Sequence, residues 1–372
     1  MSLKLLHIAD VHLDAPFRWL GARGKEQRKQ LRETFRAVVD LALQERVDAF
    51  LVAGDLFDSN SPSQDAVDVV QAQLRRLDVP VFLLPGTHDC FDEGSIYRKV
   101  DFVATIGSHV HVFKGHSQTS VEVSKLGLTV HGRANLTKTS NSSPLRGLTR
   151  NPGTPFNVAL AHGSLAMPHA EDDFPVAPAD IGSSGMNYVA LGHWHSYREC
   201  SSGSRKACYP GPPELLAEGE LGCVLLLELA EGGTRVEQRR VRRRRHDRLE
   251  IPLDGVQSVE EVVQRISSLR DGDLILSVTL SGLRTLDLLV EPAKLSLELS
   301  DRFFALRIDD RSHPQVSSEV MQSFPDNTVT GQFVRRMNVL IDEVADDPEQ
   351  RRMRESALQI GVALLQGRKV LR

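Results

Sequence analysis

The chain has 372 residues, 41% of them hydrophobic, and is long enough for two or three compact domains with buried cores. Its 45 basic and 49 acidic residues give a formal net charge of -4, so any nucleic-acid surface has to be local. The four cysteines form no C-x-x-C pair, which argues against a thiolate metal site and against a disulfide framework. No stretch approaches about 18 uninterrupted apolar residues, and the N-terminal apolar run is too short for a signal peptide. We therefore expect a cytoplasmic protein without membrane contact.

The first 90 residues alternate between short apolar runs and amphipathic segments. The apolar runs, at residues 3–9, 47–53 and 79–85, predict three buried strands. The segments between them predict two helices, and Ser61 with Pro62 predicts the N-cap and first turn of the second helix. The apolar positions of the first helix are Leu31, Phe35, Val38 and Ala42. This order predicts an α/β fold whose parallel strands are joined by right-handed crossovers.

Polar residues follow each of these apolar runs. They are Asp10 and His12 after the first run, Asp55 and Asp58 after the second, and Thr87, His88 and Asp89 after the third. Two later runs, at residues 156–162 and 187–195, end in His162 and in His193 and His195. Because ligands bind beyond the carboxyl ends of parallel strands, we expect all five strand ends to converge on one site.

The residue types at these strand ends favour a metal centre. Carboxylates and imidazoles without thiolates suit divalent ions such as Mn²⁺, Fe²⁺ or Zn²⁺. Two ions about 3.5 to 4 Å apart require a bridging ligand, and Asp55 is the natural candidate. Asp10 and His12, two residues apart, point to the same side, as do His193 and His195. Isolated histidines are interpreted as structural or solvated: His7, His109, His111, His116 and His131.

The motif series D-x-H, G-D-x-x-D, G-T-H-D, H and G-H-x-H resembles that of the calcineurin-like metallophosphoesterases, in which the threonine position is asparagine. The segments "IADVHLDAPF", "GHWH" and "YPGPPE" look most like the SbcD and YhaO-like DNA repair exonucleases. The resemblance covers roughly residues 1–230. It implies a sandwich of two central β-sheets flanked by helices, a smaller α+β capping domain and a helical C-terminal tail. We place the domains at residues 1–245, 246–325 and 326–372.

The resemblance also implies roles for individual residues. The first metal ion would be bound by Asp10, His12, Asp55 and His195. The second would be bound by Asp55, His162 and His193. These ions, expected to be Mn²⁺, would activate a bridging hydroxide for attack on phosphorus, with His88 acting at the leaving oxygen. Asp58 matches the carboxylate that orients this histidine, and Asp89 is interpreted as a turn-stabilising acceptor.

Thr87 departs from the family pattern, in which an asparagine carbonyl oxygen binds the second metal ion. The threonine hydroxyl reaches roughly 1.5 Å less far from the backbone. Either this hydroxyl or a water molecule would take the place of the carbonyl oxygen. Our hypothesis is that the second ion is retained more weakly than in relatives that carry asparagine.

Three other segments leave the substrate and partners open. The arginine run at residues 239–248 either contacts DNA phosphates or pairs with acidic side chains. Residues 135–155 predict a long surface loop, which either only connects its neighbours or reaches the substrate. The C-terminal helices either dock on an SbcC-like coiled-coil ATPase, as the resemblance implies, or pack on their own chain. A homodimer is also left open.

A DNA repair exonuclease or endonuclease is the leading prediction. The alternatives are a phosphodiesterase or phosphatase that acts on a small or lipid substrate, and a weakly catalytic DNA-binding subunit with a defective second metal site. The second domain and the arginine run favour DNA over a small substrate. Thr87 is the sequence feature that supports the weakly catalytic subunit.

Overall fold

A computed structural model describes residues 2–115, 119–166, 173–203, 205–217, 219–220, 222–285, 288–315 and 318–367. The chain divides into two compact units, Met1–Arg245 and His246–Arg372. Among the described residues, no helix has both the length and the apolar character needed to cross a membrane. The division into three domains stays a prediction.

The first unit begins with the predicted alternation of strands and helices. Its elements are β1 (Ser2–Ile8), α1 (Gly24–Glu45), β2 (Ala49–Ala53), α2 (Gln64–Leu74) and β3 (Val81–Leu84). The apolar face predicted for the first helix is buried. The second helix begins later than predicted, because Ser63 rather than Ser61 is its N-cap and accepts a hydrogen bond from the Ala66 N–H. Asp14 fixes this cap by accepting the Ser63 backbone N–H at 2.7 Å.

Further strands complete two sheets in the first unit. The remaining strands are β4 (Val110–Val112), β5 (Thr119–Val123), β6 (Leu128–Gly132), β7 (Phe156–His162), β8 (Tyr188–Gly192), β9 (Arg198–Glu199), β10 (Lys206–Tyr209), β11 (Cys223–Ala230) and β12 (Gly233–Arg240). The remaining helices are α3 (Ile96–Lys99), α4 (Phe102–Ile106) and α5 (Pro178–Ser183). The first sheet has the order β12-β11-β1-β2-β3-β4, and the second has the order β5-β6-β7-β8-β10-β9.

One apolar core is shared by the two sheets. Leu5 and Leu51 from the first sheet and Val158 and Tyr188 from the second belong to the same buried cluster. Strands β1 to β4 are parallel to one another, and so are β6, β7, β8 and β10. A sandwich of two mixed sheets with flanking helices, as predicted, is thus confirmed.

The second unit contains a small sheet followed by helices. Its strands are β13 (Arg245–Pro252), β14 (Asp271–Ser281), β15 (Leu283–Arg284), β16 (Phe303–Asp310) and β17 (His313–Pro314). Its helices are α6 (Val259–Ser267), α7 (Pro292–Glu298), α8 (Ser318–Gln322), α9 (Val329–Asp342) and α10 (Pro348–Leu365). The order β13-β14-β16 forms a three-stranded sheet with its own core. Asp347 caps α10 with Pro348 in the first turn, so the predicted helical tail is confirmed.

Candidate metal centre

The candidate site lies where parallel strands of both sheets end. Strand β1 leads into Asp10 and His12, β2 into Asp55 and Asp58, and β3 into Thr87 and His88. Strand β7 ends at His162, and β8 is followed directly by His193 and His195. Because both sheets contribute strands to one sandwich, five separate parts of the sequence supply side chains at this edge.

The backbone is strained at several of these positions. Asp10, His12, Asp55 and His193 have φ angles of 54°, 48°, 53° and 111°, which are uncommon for residues other than glycine. Such conformations cost about 1 to 3 kcal/mol each and persist only where the surroundings enforce them. Two backbone hydrogen bonds do so here, from Asp10 N to Gly54 O at 3.1 Å and from His12 N to Asp55 O at 3.0 Å.

Two glycines allow the close approach of the ligand side chains. A Cβ atom on Gly86 would lie 2.2 Å from Asp55 Oδ1, and one on Gly54 would lie 2.0 Å from His162 Nδ1. Gly54 also has a φ angle of +95°, which strains any other residue. The glycines before Asp55 and before Thr87 therefore make space for the side chains of the site.

The side chains form three overlapping groups. Within each group, one ligand atom of each residue lies within 4.8 Å of those of the other two. These groups are Asp10, His12 and His195; His12, Asp55 and His88; and Asp10, Asp55 and His162. Asp10 and Asp55 each belong to two groups, so both carboxylates are central to the cluster. Among the described residues His193 belongs to no such group, although its ring centroid lies 5.3 Å from that of His162. The assignment of each residue to one of two metal ions stays a prediction.

One ring nitrogen of each buried histidine is held by an oxygen atom. His12 Nδ1 lies 3.1 Å from Asp58 Oδ1, and His162 Nδ1 donates to the Ala53 carbonyl oxygen at 2.9 Å. A carbonyl oxygen only accepts, so His162 Nδ1 carries the hydrogen and Nε2 faces Asp55 Oδ2 at 3.1 Å. This is the arrangement that fixes the ring of a metal-binding histidine.

The more exposed histidines each lie against a carboxylate that the sequence did not indicate, although only His193 forms a hydrogen bond with it. Asp173 Oδ2 lies 2.9 Å from His193 Nε2, and Glu220 Oε1 lies 3.2 Å from His195 Nδ1. Glu220 is itself held by the backbone N–H groups of Leu216 and Ala217. Neither carboxylate follows a strand, and no motif marks either position. The sequence carries no signal for them, because their approach to the histidines depends on the tertiary path of the chain.

The residues fit divalent metal ions. His12 Nε2 is buried, has no hydrogen-bond partner among the described residues, and faces Asp55 Oδ2 across 3.7 Å. An unpartnered buried nitrogen is costly unless a ligand satisfies it. The surrounding donors are carboxylate oxygens and imidazole nitrogens, which suit Mn²⁺, Fe²⁺ and Zn²⁺. The site thus offers a free nitrogen and a set of acceptor oxygens without any thiolate.

Burial and mutual charge shift the pKa values of the buried groups in opposite directions. Burial raises the pKa of Asp10, and the neighbouring imidazoles offset only part of this rise. Burial acts the same way on Asp55, but the neighbouring imidazoles, chiefly His162, together outweigh it and hold the pKa of this carboxyl well below its usual range. Burial alone would lower the pKa of His162, but the Asp55 carboxylate raises it to about 9. In the metal-free protein, Asp55 and His162 are therefore an ion pair.

The Thr87 hydroxyl lies within this ion pair. Thr87 Oγ1 is 3.2 Å from Asp55 Oδ2 and 3.4 Å from His162 Nε2. The side chain is buried, with 7% of its surface exposed. Although threonine is shorter than asparagine, its hydroxyl thus reaches Asp55 and His162, two of the three side chains predicted to bind the second ion.

His88 is exposed and is held by the backbone. Its Nδ1 donates to the Asp58 carbonyl oxygen at 3.0 Å, and the Asp58 carboxylate lies 3.8 Å away. The Asp58 carboxylate is closer to His12, so it contacts a predicted ligand more directly than the predicted catalytic histidine. Asp89 accepts hydrogen bonds from Gly86 N, Phe57 N and the Tyr97 hydroxyl, which is the stabilising role expected for it.

The isolated histidines lie outside these three groups. His7 Nδ1 contacts the Tyr188 hydroxyl at 3.0 Å, and His131 Nε2 contacts Asn157 Oδ1 at 3.0 Å. Both imidazoles are buried in the sandwich. His109 Nε2 donates to the Leu74 carbonyl oxygen. These contacts agree with structural roles. His116 lies outside the described residues.

Comparison with known proteins identifies the class. The family model of the calcineurin-like phosphoesterases matches residues 3–197, which is more than half of the chain. The chain therefore belongs to the calcineurin-like phosphoesterase family. The predicted resemblance is confirmed, and all of the candidate metal ligands fall within the matched residues.

The relatives of this chain include a protein named for DNA repair and a metallophosphoesterase named as uncharacterised. The chain is 28% identical over 221 residues to the "uncharacterized metallophosphoesterase YhaO" of Bacillus subtilis, a match that covers 56% of the chain and 53% of that protein. It is 31% identical over 291 residues to the "DNA double-strand break repair protein Mre11" of Aeropyrum pernix, covering 70% of the chain and 66% of that protein. The chain thus spans between about half and two thirds of the length of these curated relatives.

A solved structure gives a weaker match. The crystal structure of TT1561 of Thermus thermophilus is 14% identical, with a TM-score of 0.40, and the match covers 64% of the chain and 99% of that structure. The assignment to the family therefore depends on the family model and on the motifs at the strand ends.

Proposed function

We propose that the chain is a metal-dependent phosphodiester hydrolase that acts on DNA as a repair exonuclease or endonuclease. The observation that carries the proposal is the convergence of five strand ends on a buried cluster of carboxylates and imidazoles. In the proposed assignment, Asp10, His12, Asp55 and His195 hold the first ion. Asp55, His162 and His193 hold the second, and we expect both ions to be Mn²⁺.

Divalent ions, when bound, neutralise the oxygens of a phosphodiester and make water a nucleophile at neutral pH. The protein's own contribution starts with orientation. Oxygen atoms contact one ring nitrogen of each imidazole, so the other ring nitrogen is oriented for metal binding. These oxygen atoms belong to Asp58, Ala53, Asp173 and Glu220. Asp10 further ties two strand ends together by accepting the His193 backbone N–H at 2.9 Å.

His88 is the proposed proton donor to the leaving oxygen. Because its Nδ1–H is committed to the Asp58 carbonyl oxygen, Nε2 carries a hydrogen only in the imidazolium form. An imidazolium can both stabilise negative charge and transfer its Nε2 proton. With 51% of its side chain exposed, His88 is open to a large substrate, as a strand of DNA requires.

A cavity that carries exposed lysines supports DNA as the substrate. A cavity of about 770 Å³ begins at Asp14, two residues after His12, and is lined by basic side chains of α1. These are Lys25, Arg28, Lys29 and Arg32, and the carboxylates of Asp14, Glu26 and Asp65 line the same cavity. Arg32 is paired with Asp14 and Asp65, whereas Lys25 and Lys29 are exposed. Exposed lysines along a groove suit the phosphates of a nucleic acid backbone, whose binding would weaken with salt.

The arginine run supports DNA binding less directly. Arg239 pairs with Glu45 and Glu237, at 3.3 and 3.1 Å. Arg242 donates to the Glu220 carbonyl oxygen at 2.6 Å. At least these two arginines therefore have partners within the protein, and contact of the run with DNA stays a prediction.

A weakly catalytic DNA-binding subunit is the second candidate, and Thr87 is the residue that favours it. A hydroxyl is a poorer neutral ligand than a carbonyl oxygen, and Thr87 Oγ1 is already engaged with Asp55 and His162. If the second ion were retained poorly, DNA would still bind while hydrolysis became slow. The experiment below separates this candidate from an active nuclease.

The helical tail is the proposed contact for a coiled-coil ATPase of the SbcC type. Apolar side chains of α9 and α10 are exposed there, namely Val329, Val339, Met353, Leu364 and Leu365. We expect the double variant Val339→Asp/Met353→Asp to lose binding of such an ATPase in pull-down. Leu297→Asp on α7, also strongly exposed, is the matched control. Equal binding of the ATPase by the wild type, the double variant and Leu297→Asp would contradict docking through the tail. A homodimer and a cytoplasmic location remain predictions.

The nuclease proposal is tested with three substrates. End-labelled duplex DNA, single-stranded DNA and a small bis-aryl phosphodiester are incubated with the protein and with His88→Ala in Mn²⁺, Mg²⁺ or chelator. The proposal expects metal-dependent cleavage of DNA that His88→Ala strongly reduces. Cleavage of the small ester alone would refute the nuclease and favour a small substrate. DNA binding without hydrolysis of any substrate would favour the weakly catalytic subunit.

A further inference from the structure

A polar cavity lies beside the metal centre, at the end of β6. Strand β6 is parallel to β7 and ends at Gly132, which is level with Leu160, two residues before His162. Arg133 therefore leaves the second sheet at the same edge as a candidate metal ligand. The cavity measures about 170 Å³ and is lined by Arg133, by Asn135 and by residues of the loop that follows.

The loop around this cavity is tied to the metal-binding strands. Asn135 is buried, donates from Nδ2 to the His162 carbonyl oxygen at 3.1 Å, and from its backbone N–H to the Pro85 carbonyl oxygen at 3.3 Å. On its other side, Ser140 O accepts the Phe174 N–H at 2.7 Å, next to the Asp173 that contacts His193. The loop predicted at residues 135–155 is thus anchored at both sides of the candidate site.

The lining of the cavity suits an anion. Its described lining residues include the guanidinium of Arg133 and the hydroxyl groups of Ser140 and Ser143, but no carboxylate. Thr137 also lines the cavity, but its hydroxyl donates to the Thr139 carbonyl oxygen at 2.7 Å. Arg133 Nε is buried and has no hydrogen-bond partner among the described residues. Ser140 Oγ and Ser143 Oγ each accept a backbone N–H, which leaves the hydroxyl hydrogens for donation.

A partly buried guanidinium without a carboxylate beside it is costly unless an anion satisfies it. Guanidinium groups bind phosphate through two parallel N–H donors, and the serine hydroxyls supply further donors. We propose that Arg133 and the hydroxyls of Ser140 and Ser143 form a second phosphate site, which binds the phosphate group next to the scissile one in a nucleic acid strand. The location of this phosphate rests on the proposed function, whereas anion binding by the cavity does not.

The first test is independent of hydrolysis. Inorganic phosphate is titrated into the full chain in chelator, so that phosphate cannot bind to metal ions, and followed by ³¹P NMR. We expect Arg133→Ala to weaken phosphate binding about 10-fold or more, as loss of a charged hydrogen bond does. Arg133→Lys should retain part of the binding, because it keeps the charge but not the planar donors. Arg146→Ala, an exposed arginine of the same loop, is the control and should bind as the wild type does.

The second test measures hydrolysis. For thymidine tetranucleotide, which has phosphates on both sides of its central diester, Arg133→Ala should lower kcat/KM about 10- to 100-fold. For a thymidine dinucleotide and a bis-aryl phosphodiester, each with one phosphate, kcat/KM should stay within about twofold. Circular dichroism and Tm exclude unfolding, and Arg133→Gln replaces Arg133→Ala if that variant unfolds.

The outcomes separate this inference from the proposed function. Phosphate binding that is equal in wild type, Arg133→Ala and Arg146→Ala would overturn the phosphate site. An equal loss of kcat/KM for all three substrates would also overturn it, because it would indicate a structural role. Phosphate binding that depends on Arg133, in a wild-type protein that hydrolyses none of the substrates, would support the site and contradict the proposed nuclease.

Discussion

The candidate site has a buried part and an exposed part, and the two are built differently. The floor, defined here as Asp10, His12, Asp55 and His162, has at most 3% of any side chain exposed. The rim, defined as His88, His193 and His195, has 51%, 22% and 41% of its side chains exposed. In both parts, oxygen atoms outside the floor contact the imidazoles, but the floor residues also interact with one another as charged groups.

This difference predicts that buried and exposed residues contribute to different steps, namely metal binding and reaction with the substrate. Groups that are fully buried in contact with opposite charges carry a large desolvation cost, which metal ions would offset. Groups that reach solvent are free to meet a substrate and to exchange protons with it. We therefore expect floor substitutions to change metal affinity and folding stability together. In the rim, His193 and His195 are proposed ligands, so only substitution of His88 is expected to change the chemical step alone.

The largest effect is expected for Asp55→Asn in the floor. Without the carboxylate, His162 loses the partner that raises its pKa, and breaking a buried pair costs about 3 to 5 kcal/mol. We expect loss of hydrolysis, a Mn²⁺ affinity reduced more than about 100-fold, and a lower Tm in chelator. Calorimetric titration with Mn²⁺ and thermal unfolding measure these quantities. Asp65→Asn, a strongly exposed carboxylate, is the control. Normal Mn²⁺ affinity in Asp55→Asn would remove Asp55 from the ligand set.

His88→Ala tests the rim. Loss of a proton donor typically lowers kcat by about 10² to 10⁴-fold. Since the His88 side chain is half exposed and its Nδ1 is held by a backbone carbonyl oxygen, Mn²⁺ affinity and Tm should change little. Calorimetric titration and kcat under saturating Mn²⁺ would be compared with those of Asp55→Asn. If His88→Ala lost Mn²⁺ affinity as strongly as Asp55→Asn, the distinction between floor and rim would fail.

The floor was easier to predict from sequence than the carboxylates that contact the rim histidines. Each floor residue follows an apolar run, and strand ends of parallel sheets meet at one edge, so Asp10, Asp55 and His162 could be placed together. Asp173 and Glu220 could not, because they lie in irregular segments whose path depends on tertiary packing. The Asp58 carboxylate also lies closer to His12, at 3.1 Å, than to His88, at 3.8 Å, and the sequence motif does not indicate this preference.

Glu220→Gln tests the carboxylate that lies against the rim residue His195. Replacing an outer partner of a ligand typically costs about 10 to 100-fold in metal affinity or activity. We expect such a loss for Glu220→Gln, because the amide no longer attracts the His195 ring as a carboxylate does. Glu199→Gln, whose carboxylate pairs with Lys206 on the surface, is the control. Mn²⁺ titration and kcat/KM would be measured for both variants. Equal values in wild type and Glu220→Gln would show that the His195 contact has no functional weight.

His7 separates burial from metal binding, because it is buried outside the floor. Burial lowers its pKa to about 3, against 6.5 in the unfolded chain. The folded protein therefore keeps His7 neutral while the unfolded chain takes up a proton, so stability is lost as pH falls below about 6.5. The slope reaches about 1.36 kcal/mol per pH unit, or about 2 kcal/mol between pH 7 and pH 5.

Urea unfolding in chelator at several pH values measures this effect. We expect His7→Gln, which keeps a polar group near the Tyr188 hydroxyl, to lose about 2 kcal/mol less stability than wild type between pH 7 and pH 5. His109→Gln, at a partly buried histidine next to β4, is the control. Parallel pH profiles for wild type and His7→Gln would mean that His7 is not held neutral by the fold.

Thr87→Asn is expected to have the smallest effect, and it tests the boundary between floor and rim. An asparagine carbonyl oxygen would reach roughly 1.5 Å farther than the hydroxyl that now contacts Asp55 and His162. We expect affinity for the more weakly held Mn²⁺ ion to rise about 10-fold and less Mn²⁺ to be needed for half-maximal activity. Calorimetric titration measures affinity apart from activity.

Thr87→Val distinguishes the two ways in which the present site could compensate for the missing carbonyl oxygen. If the hydroxyl itself binds the ion, valine removes a ligand and Mn²⁺ affinity falls. If a water molecule takes that place, valine removes only the hydrogen bonds to Asp55 and His162, and the affinity changes little. An unchanged affinity in Thr87→Asn would refute the idea that this position weakens the second site. The weakly catalytic subunit would then lose the one residue that favours it.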